Sequence, residues 1–336
     1  MKPSLFDFEE DRLKREVKRL KAERVLIQLP EGLKPEGSRL ARIVEDAGAV
    51  AIVSADPCYG ACDLSVREAK NLRADLLVHF GHSRIIERSE GISVIYIEAR
   101  AMASRSPAVA EALHLLKLWN RIGLVTTIQH LHTLADIRRQ LLKANKTAVI
   151  GDASNQLYPG QIIGCDYSNA RVLMKDVDAF LFVGGGKFHA LGVALATSMP
   201  TVVADPYELR AYSVDDEAQK IRRQRWGSIE GAAKAQSLGI LIGLKIGQQR
   251  FEKAVEIRKK LETAGKRTTL LALHEITPES LMQYPDLDAY VNTACPRISL
   301  DDASKFHKPV LTVNESLVVA GELSWAQLLR KGWFQN

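Results

Sequence analysis

The sequence lacks any apolar run that approaches the roughly 20 residues a helix needs to cross a bilayer. Its early segment, residues 7–23, alternates acids and bases and has no apolar core of the kind found in signal peptides. Neither sign of charge dominates, because 46 Lys and Arg stand against 40 Asp and Glu. The one dense basic run, residues 222–226, reads as a solvated helical face. We therefore expect a cytoplasmic protein that binds neither membranes nor nucleic acid directly.

Cysteine is also scarce, and this limits the chemistry available to the protein. The chain has only Cys58, Cys62, Cys165 and Cys295, and no Cys-x-x-Cys pair. In a reducing cytoplasm, structural disulfides are a poor explanation for them. Any one of them could be a small buried apolar residue. Metal ligation or catalysis is the alternative to that interpretation.

What the sequence does contain is a pattern repeated three times. Strand-like apolar runs alternate with helix-period stretches, which predicts an α/β fold with parallel sheets. The runs lie at residues 25–29, 50–53, 75–78 and 94–97, then 122–125, 147–150, 178–181 and 201–203, then 239–242, 268–271, 288–291 and 309–312. Each third run opens with an aspartate, 50, 56 and 49 residues after the start of its set.

This regular spacing predicts three similar α/β domains around a pseudo-threefold centre. We place them at residues 1–105, 106–208 and 209–336. A long helical connection, expected over residues 207–236, joins the second unit to the third and falls almost entirely in the last domain. Loops beyond the carboxyl ends of strands carry function in such sheets. Cys62 and Cys165 follow second strands, and Cys295 follows a third strand, so each repeat contributes one cysteine. Three thiolates brought together would suit a soft metal centre.

Several short motifs together resemble the diphthamide synthase family. The three that contain the cysteines are Asp-Pro-Cys-Tyr-Gly-Ala-Cys-Asp at 56–63, Gly-Gln-Ile-Ile-Gly-Cys at 160–165 and Asn-Thr-Ala-Cys-Pro-Arg at 292–297. Residues 28–33, 81–83 and 182–186 resemble the same family. The resemblance extends from about residue 25 to about residue 315.

The resemblance implies an enzyme of the first step of diphthamide biosynthesis. It implies that Cys62, Cys165 and Cys295 hold a 4Fe–4S cluster, with Cys58 as a neighbour that is not a ligand. The activity implied is cleavage of the bond between sulfur and the γ-carbon of S-adenosylmethionine. The 3-amino-3-carboxypropyl radical would then join C2 of a histidine in translation elongation factor 2, releasing methylthioadenosine. The family's archaeal form further implies a homodimer served by an electron donor. The usual Cys-x-x-x-Cys-x-x-Cys signature of radical enzymes is absent.

Other side chains are candidates for binding S-adenosylmethionine. Gly184, Gly185 and Gly186 end a strand, and their amides could face a ligand, although a tight turn is an equal alternative. Arg297 could pair with the methionine carboxylate or form a surface ion pair. His82 and His189 lie in equivalent loops after third strands and are weak catalytic candidates, because structural histidines are commoner.

Three other functions remain open at this point. A quinolinate synthase-like 4Fe–4S dehydratase would share three domains and three cysteines. The chain could also be a cluster-bearing helper subunit without catalytic activity. A structural zinc site is a third alternative, although such sites prefer closely spaced ligand pairs.

Overall fold

The computed structural model describes residues 4–85, 91–102, 106–152 and 154–334. The chain divides into two compact units. The first contains residues 1–103, 128–132 and 245–247, and the second contains residues 104–127, 133–244 and 248–336. Over the described ranges, no helix is both long enough and apolar enough to cross a membrane.

The first unit is built on a four-stranded parallel sheet. Its strands are β1 (Phe6–Asp7), β2 (Arg24–Gln28), β3 (Val50–Val53), β4 (Leu76–Phe80), β5 (Ser93–Ile97) and β6 (Arg100–Ala101). Its helices are α1 (Glu10–Arg19), α2 (Gly37–Glu45) and α3 (Val66–Asn71), with a 3-10 helix at Glu31–Glu36. The short strands β1 and β6 pair antiparallel with each other, outside the main sheet.

Both faces of this sheet are covered, as expected for buried parallel strands. Val25 and Ile27 of β2 point to one face and pack in a cluster with Leu40 of α2. Leu26 points to the opposite face and packs in a second cluster with Ala69 of α3. The alternation along β2 therefore fixes which helix lies on which face.

The second unit contains two further sheets. Its strands are β7 (Arg121–Thr126), β8 (Thr147–Val149), β9 (Ala179–Val183), β10 (Thr201–Asp205), β11 (Arg210–Ser213), β12 (Ser237–Gly243), β13 (Arg267–Leu273), β14 (Ala289–Asn292) and β15 (Val310–Thr312). Its helices are α4 (Ser106–Leu115), α5 (Leu134–Lys143), α6 (Ser168–Arg171), α7 (Phe188–Thr197), α8 (Asp215–Lys234), α9 (Phe251–Thr263), α10 (Pro278–Met282), α11 (Pro296–Leu300), α12 (Val313–Val319) and α13 (Trp325–Lys331). A short 3-10 helix lies at Ala303–Lys305, whereas the 3-10 helix Ile128–Thr133 has all but its last residue in the first unit.

The three large sheets share one strand order. In each, the first strand pairs with the second on one side and the third on the other, and the fourth lies beyond the third. The orders are β3-β2-β4-β5, β8-β7-β9-β10 and β13-β12-β14-β15, and all of these pairs are parallel. The α/β class with parallel sheets is confirmed. The three-domain division and the pseudo-threefold centre stay predictions.

The aspartate that precedes each third strand has the same role in all three sheets. Its carboxylate accepts hydrogen bonds from two consecutive backbone N–H groups at the start of the first strand. Asp75 accepts from Glu23 and Arg24, Asp178 from Asn120 and Arg121, and Asp288 from Gln236 and Ser237, all at 2.8 or 2.9 Å. These backbone donors lower the pKa of all three carboxyls. The repeated aspartate therefore ties the third strand to the first.

The expectation of a helical connection over residues 207–236 is wrong for its first part. Residues 210–213 form β11, which pairs antiparallel with β10, and the helix begins only at Asp215. Pairing with β11 satisfies backbone groups that β10 would otherwise leave at the edge of the sheet.

The expectation of a fully solvated basic run at residues 222–226 is also wrong. Arg225 is only 1% exposed, although Arg223 on the same helix faces solvent. A buried guanidinium requires a full set of acceptors, and Arg225 has them. Its Nε and Nη2 donate to the two carboxylate oxygens of Glu315, at 2.7 and 2.6 Å.

Candidate functional site

Cys62 lies in the loop after β3, held by a short segment from far along the chain. The backbone N–H of Gly247 donates to the carbonyl oxygen of Cys62 at 2.8 Å. A Cβ at Gly247 would lie 2.5 Å from the Cα of Cys62, so only glycine allows this approach. Lys245 forms a nearly buried ion pair with Asp63 at 2.7 Å, and its ammonium lies 4.3 Å from the centroid of the Tyr59 ring. Residues 245–247 therefore fix the backbone that carries Cys62.

Cys58 lies in the same loop, in different surroundings. Its side chain is buried, and burial raises the pKa of its thiol to about 12, with a further increase from Asp63. The thiol therefore keeps its proton at neutral pH. This agrees with the interpretation of Cys58 as a neighbour of the ligands, which stays a prediction.

A histidine pair lies beside Cys58. The sulfur of Cys58 and ring nitrogens of His79 and His82 all lie within 4.8 Å of one another, a spacing compatible with a metal ion. However, Nδ1 of His79 contacts Oε1 of Gln28 at 2.9 Å, and Nε2 contacts Nδ1 of His82 at 3.0 Å. A metal bound through His79 would have to break one of these hydrogen bonds.

In the second unit, Cys165 and Cys295 lie in one neighbourhood. Burial raises the pKa of the Tyr167 phenol well above its usual value, and the nearby Cys165 and Cys295 both raise it further. In the same region, a Cβ at Gly164, the residue before Cys165, would lie 3.8 Å from Cδ of Arg297, which follows Cys295 by two residues. The loops that carry Cys165 and Cys295 therefore lie close to each other within this unit.

The loop that carries Cys295 is ordered by its own polar groups. The side-chain amide of Asn292 donates to the carbonyl oxygen of Cys295 at 2.6 Å, and its oxygen accepts from the N–H of Ala294 at 2.9 Å. Pro296 then starts helix α11, where its missing N–H costs nothing. One turn later, the carbonyl of Ser299 accepts from Nη1 of Arg225 at 2.7 Å. The buried Arg225 therefore supports the helix that follows Cys295.

Arg297 follows Cys295 by two residues and packs close to Gly164, the residue before Cys165. Its guanidinium carbon is 3.9 Å from the centroid of the Phe188 ring, and its Nε donates to Asp301 at 3.1 Å. A Cβ at Gly164 would lie 2.6 Å from the Phe188 ring, so the residue before Cys165 packs against the same ring. Arg297 already has an intramolecular carboxylate partner, and its proposed role toward a ligand carboxylate stays a prediction.

The glycine turn at 184–186 is held from within. The N–H of Gly186 donates to Oδ2 of the buried Asp205 at 2.9 Å. A Cβ at Gly185 would lie 2.7 Å from the Tyr207 ring, and Gly186 has a φ of 73°. These contacts favour the tight-turn interpretation. The Gly186 N–H, which an anion-binding turn would offer to its ligand, already donates to the Asp205 carboxylate. Binding of S-adenosylmethionine by Gly184, Gly185 and Gly186 remains untested.

The strand register corrects the supposed equivalence of His82 and His189. Gln28 on the first strand pairs with His79, and Leu241 pairs with Asn292 in the third repeat. His79 and Asn292 each lie four residues after the aspartate of their repeat. His82 and Cys295 both lie seven residues after that aspartate. His189 lies eleven residues after it, inside α7, where it stacks on Phe182 with ring centroids 5.9 Å apart. The sequence contained this signal, but only an alignment of the repeats on the aspartates reveals it.

Comparison with known proteins identifies relatives along nearly the whole chain. The family of diphthamide synthesis proteins matches residues 29–329. The 2-(3-amino-3-carboxypropyl)histidine synthase of Pyrococcus horikoshii is 36% identical over 319 residues, which is 94% of this chain and 91% of that protein. Subunit 1 of the Homo sapiens synthase is 30% identical, over 97% of this chain and 74% of that protein. The crystal structure of Dph2 from Pyrococcus horikoshii with a 4Fe-4S cluster has a TM-score of 0.87 and 35% identity, covering 96% of this chain and 93% of that chain.

Proposed function

We propose, from the premise that this chain belongs to the family of diphthamide synthesis proteins, that it is a 2-(3-amino-3-carboxypropyl)histidine synthase. The observation that best supports this proposal is the structural similarity to Dph2 with a 4Fe-4S cluster, with a TM-score of 0.87 over 96% of the chain. The reaction is transfer of the 3-amino-3-carboxypropyl group of S-adenosylmethionine to C2 of a histidine in elongation factor 2. The other product is methylthioadenosine.

The residues fit the 4Fe–4S cofactor by the chemistry of their donors. Cys62, Cys165 and Cys295 carry thiols rather than disulfides, and each is partly buried. Three thiolates leave one iron of such a cluster without a protein ligand. When reduced, a cluster supplies the single electron that breaks the bond between sulfur and the γ-carbon. The assignment of these three cysteines as ligands rests on the family's motifs.

The protein's own residues position and shield the reacting groups. Residues 245–247 hold the Cys62 loop, and Arg225 and Asn292 hold the Cys295 loop. Arg297, stacked on Phe188 and two residues after Cys295, carries a positive charge that suits a carboxylate. Such orientation decides which carbon of the sulfonium meets the open iron.

A quinolinate synthase-like dehydratase is disfavoured by the family match, which covers residues 29–329. A helper role is disfavoured because the archaeal relative is named as the synthase itself and all three cysteines are present. A homodimer, a separate electron donor and a cytoplasmic location belong to the proposal and await measurement.

The test is an anaerobic reaction of the wild-type protein. The protein is reconstituted with iron and sulfide, reduced with dithionite and given S-adenosylmethionine, with and without an archaeal elongation factor 2. We expect methylthioadenosine and the added mass of one 3-amino-3-carboxypropyl group on a single histidine of the factor. A factor with that histidine replaced by glutamine is the control and should gain no mass. A bound cluster without cleavage of S-adenosylmethionine would contradict the proposal and favour a dehydratase or helper.

A further inference from the structure

The hydrogen bonds around His82 determine which of its ring nitrogens carries the proton. The chain of inference starts at Gln28, whose amide orientation is fixed by two backbone groups. Its Nε2 donates to the carbonyl oxygen of Asp63 at 2.6 Å, and its Oε1 accepts from the N–H of Ser65 at 3.2 Å. Oε1 is an acceptor only, so the His79 Nδ1 that lies 2.9 Å from it must carry a hydrogen.

His79 passes this constraint to His82. The His79 ring is fully buried, and burial lowers its pKa well below the usual value, so the ring is neutral. With its hydrogen on Nδ1, His79 can only accept at Nε2. The Nδ1 of His82, at 3.0 Å, must therefore donate to it. The carbonyl oxygen of Phe80 also accepts a hydrogen bond from the His82 ring. When Nδ1–H serves both acceptors, neutral His82 keeps Nε2 as its acceptor nitrogen.

His82 also occupies the position in its repeat that a predicted cluster ligand occupies in another repeat. Aligned on the aspartates Asp75 and Asp288, it is the first-repeat counterpart of Cys295. It lies at the carboxyl edge of its sheet, in the same loop cluster as Cys62. Cys58, four residues before Cys62 in the same loop, has its sulfur within 4.8 Å of a ring nitrogen of His82.

The proposed reaction releases a proton from the target imidazole, and a base such as His82 would accept it. Joining the 3-amino-3-carboxypropyl radical to C2 of an imidazole forms a carbon–carbon bond and leaves a ring radical. Aromaticity returns when this ring loses one electron and the hydrogen on C2 as a proton. The electron equals the one consumed in breaking the sulfur–carbon bond, and an oxidised iron–sulfur centre is the class of acceptor for it. The proton needs a base in the protein.

We propose that Nε2 of His82 accepts the C2 proton of the target imidazole, and that Gln28 and His79 are the residues that hold it in the accepting tautomer. This rests on the proposed function. A base oriented by a second group, itself oriented by a third, is a recurring arrangement in proton transfer. Near Cys58, Lys245 and Asp63 are paired with each other at 2.7 Å. Arg84, two residues after His82, acts on Tyr96, whose ring packs against His79. Burial lowers the pKa of His82 to about 4, which keeps the acceptor unprotonated at neutral pH.

The first test reads the tautomer without a cluster or a substrate. Nitrogen-15 NMR of the histidine-labelled, cluster-free protein should show His82 with Nδ1 protonated and Nε2 unprotonated at pH 7. Gln28→Leu removes the fixed acceptor and should allow a mixture of His79 and His82 tautomers. Protonated Nε2 on His82 in the wild type would overturn the proposal.

The second test separates cleavage from transfer in the reconstituted enzyme. His82→Gln should release methylthioadenosine within about twofold of wild type, whereas mass transfer to elongation factor 2 should fall at least about 100-fold. Deuterium at C2 of the target histidine should slow transfer more in His82→Gln than in wild type. His307→Gln, the same change at an exposed position, should alter neither rate.

The other outcomes of this test are equally decisive. If His82→Gln lowers cleavage and transfer together, the residue serves S-adenosylmethionine and is not the proton acceptor. Unchanged transfer would also overturn the proposal. If the wild type itself releases no methylthioadenosine, the proposed function fails, and the assignment of His82 falls with it.

Discussion

At the scale of single residues, position 247 must be glycine, and its local sequence does not reveal why. Its missing side chain lets the backbone of residues 245–247 lie against Cys62, which is 183 to 185 residues away along the chain. Lys245, two residues before Gly247, stabilises the same contact through its ion pair with Asp63, the residue after Cys62. The Cys62 loop is thus positioned by a distant segment as well as by its own turn residues.

Gly247→Ala tests this contact. The added Cβ would lie 2.5 Å from the Cα of Cys62 and 2.8 Å from its carbonyl oxygen, so the backbone must move. We expect a loss of about 1–3 kcal/mol in the free energy of unfolding, and reduced iron content after reconstitution. Urea denaturation and iron analysis measure the two effects.

The control for this variant is Gly227→Ala, in the exposed part of α8 with no atom within 4 Å of the new Cβ. It should keep its iron and gain stability, because alanine favours a helix interior by about 0.5–1 kcal/mol. Equal behaviour of the two variants would contradict the packing argument.

Sequence reasoning reached the cysteines but not the residues around them. Cys62, Cys165 and Cys295 stand out because cysteine is scarce and the motifs are specific. Arg225 was misread because a basic run is usually solvated, and nothing near it signals the buried Glu315, ninety residues later. Such pairings depend on tertiary packing, which local pattern does not encode.

At the scale of secondary-structure elements, the strands of the three parallel sheets could be predicted. The aspartates that join the third strand to the first could be located, but their hydrogen bonds could not. All twelve strand-like runs coincide with strands of the three parallel sheets. Three short strands were missed: β1 and β6, with two residues each, pair with each other, and β11, with four residues, pairs with β10. A short edge strand carries little local signal because its formation depends on the neighbouring strand.

The repeated aspartate gives a prediction at this scale. Asp288→Asn should lower the free energy of unfolding by about 0.5–1 kcal/mol at pH 7, because a charged acceptor of two backbone N–H bonds becomes a neutral one. The folded-state pKa of Asp288 is depressed. Its contribution is therefore present above the unfolded-state pKa, about 3.9, and is lost as pH falls through the lower folded-state value.

Urea titrations between pH 7 and pH 3 measure this effect. The gap between wild type and Asp288→Asn should be constant down to about pH 4 and then narrow. Asp286→Asn, an exposed neighbour, is the matched control and should follow wild type. A gap that widens in acid would contradict the role assigned to the carboxylate.

The buried pair of Arg225 and Glu315 joins four elements of the second unit. Arg225 on α8 reaches Ser299 of α11 and Val310 of β15, and Glu315 on α12 also accepts from the indole N–H of Trp333 at 2.8 Å. Arg225→Met leaves a buried carboxylate without its cation. We expect a loss of about 3–5 kcal/mol in the free energy of unfolding.

Denaturant titration of Arg225→Met beside Arg223→Met, an exposed residue on the same helix, checks this prediction. Arg223→Met should stay within about 0.5 kcal/mol of wild type. Because Arg225 supports α11, its variant should also bind less iron when it remains folded. A folded Arg225→Met protein with wild-type stability would contradict the account.

At the scale of the whole molecule, the threefold repetition of one sheet topology is what connects sequence to function. Each sheet ends its second and third strands in loops, and such loops carry two cysteines in the first repeat and one in each of the other two. The repeat pattern and the α/β class could be predicted because apolar periodicity is local. How the units assemble could not, since it depends on surfaces that have no periodic signal.

The central claim is that Cys62, Cys165 and Cys295 together hold one cluster and that Cys58 does not take part. Its most direct test is iron and sulfide content, with the EPR spectrum of the reduced centre, after anaerobic reconstitution of the four single cysteine-to-alanine variants. We predict about four iron atoms per chain and an unchanged spectrum for wild type and Cys58→Ala, and loss of the cluster or an altered spectrum in each of the other three. A full, unaltered cluster in Cys62→Ala, Cys165→Ala or Cys295→Ala, or its loss in Cys58→Ala, would contradict the claim.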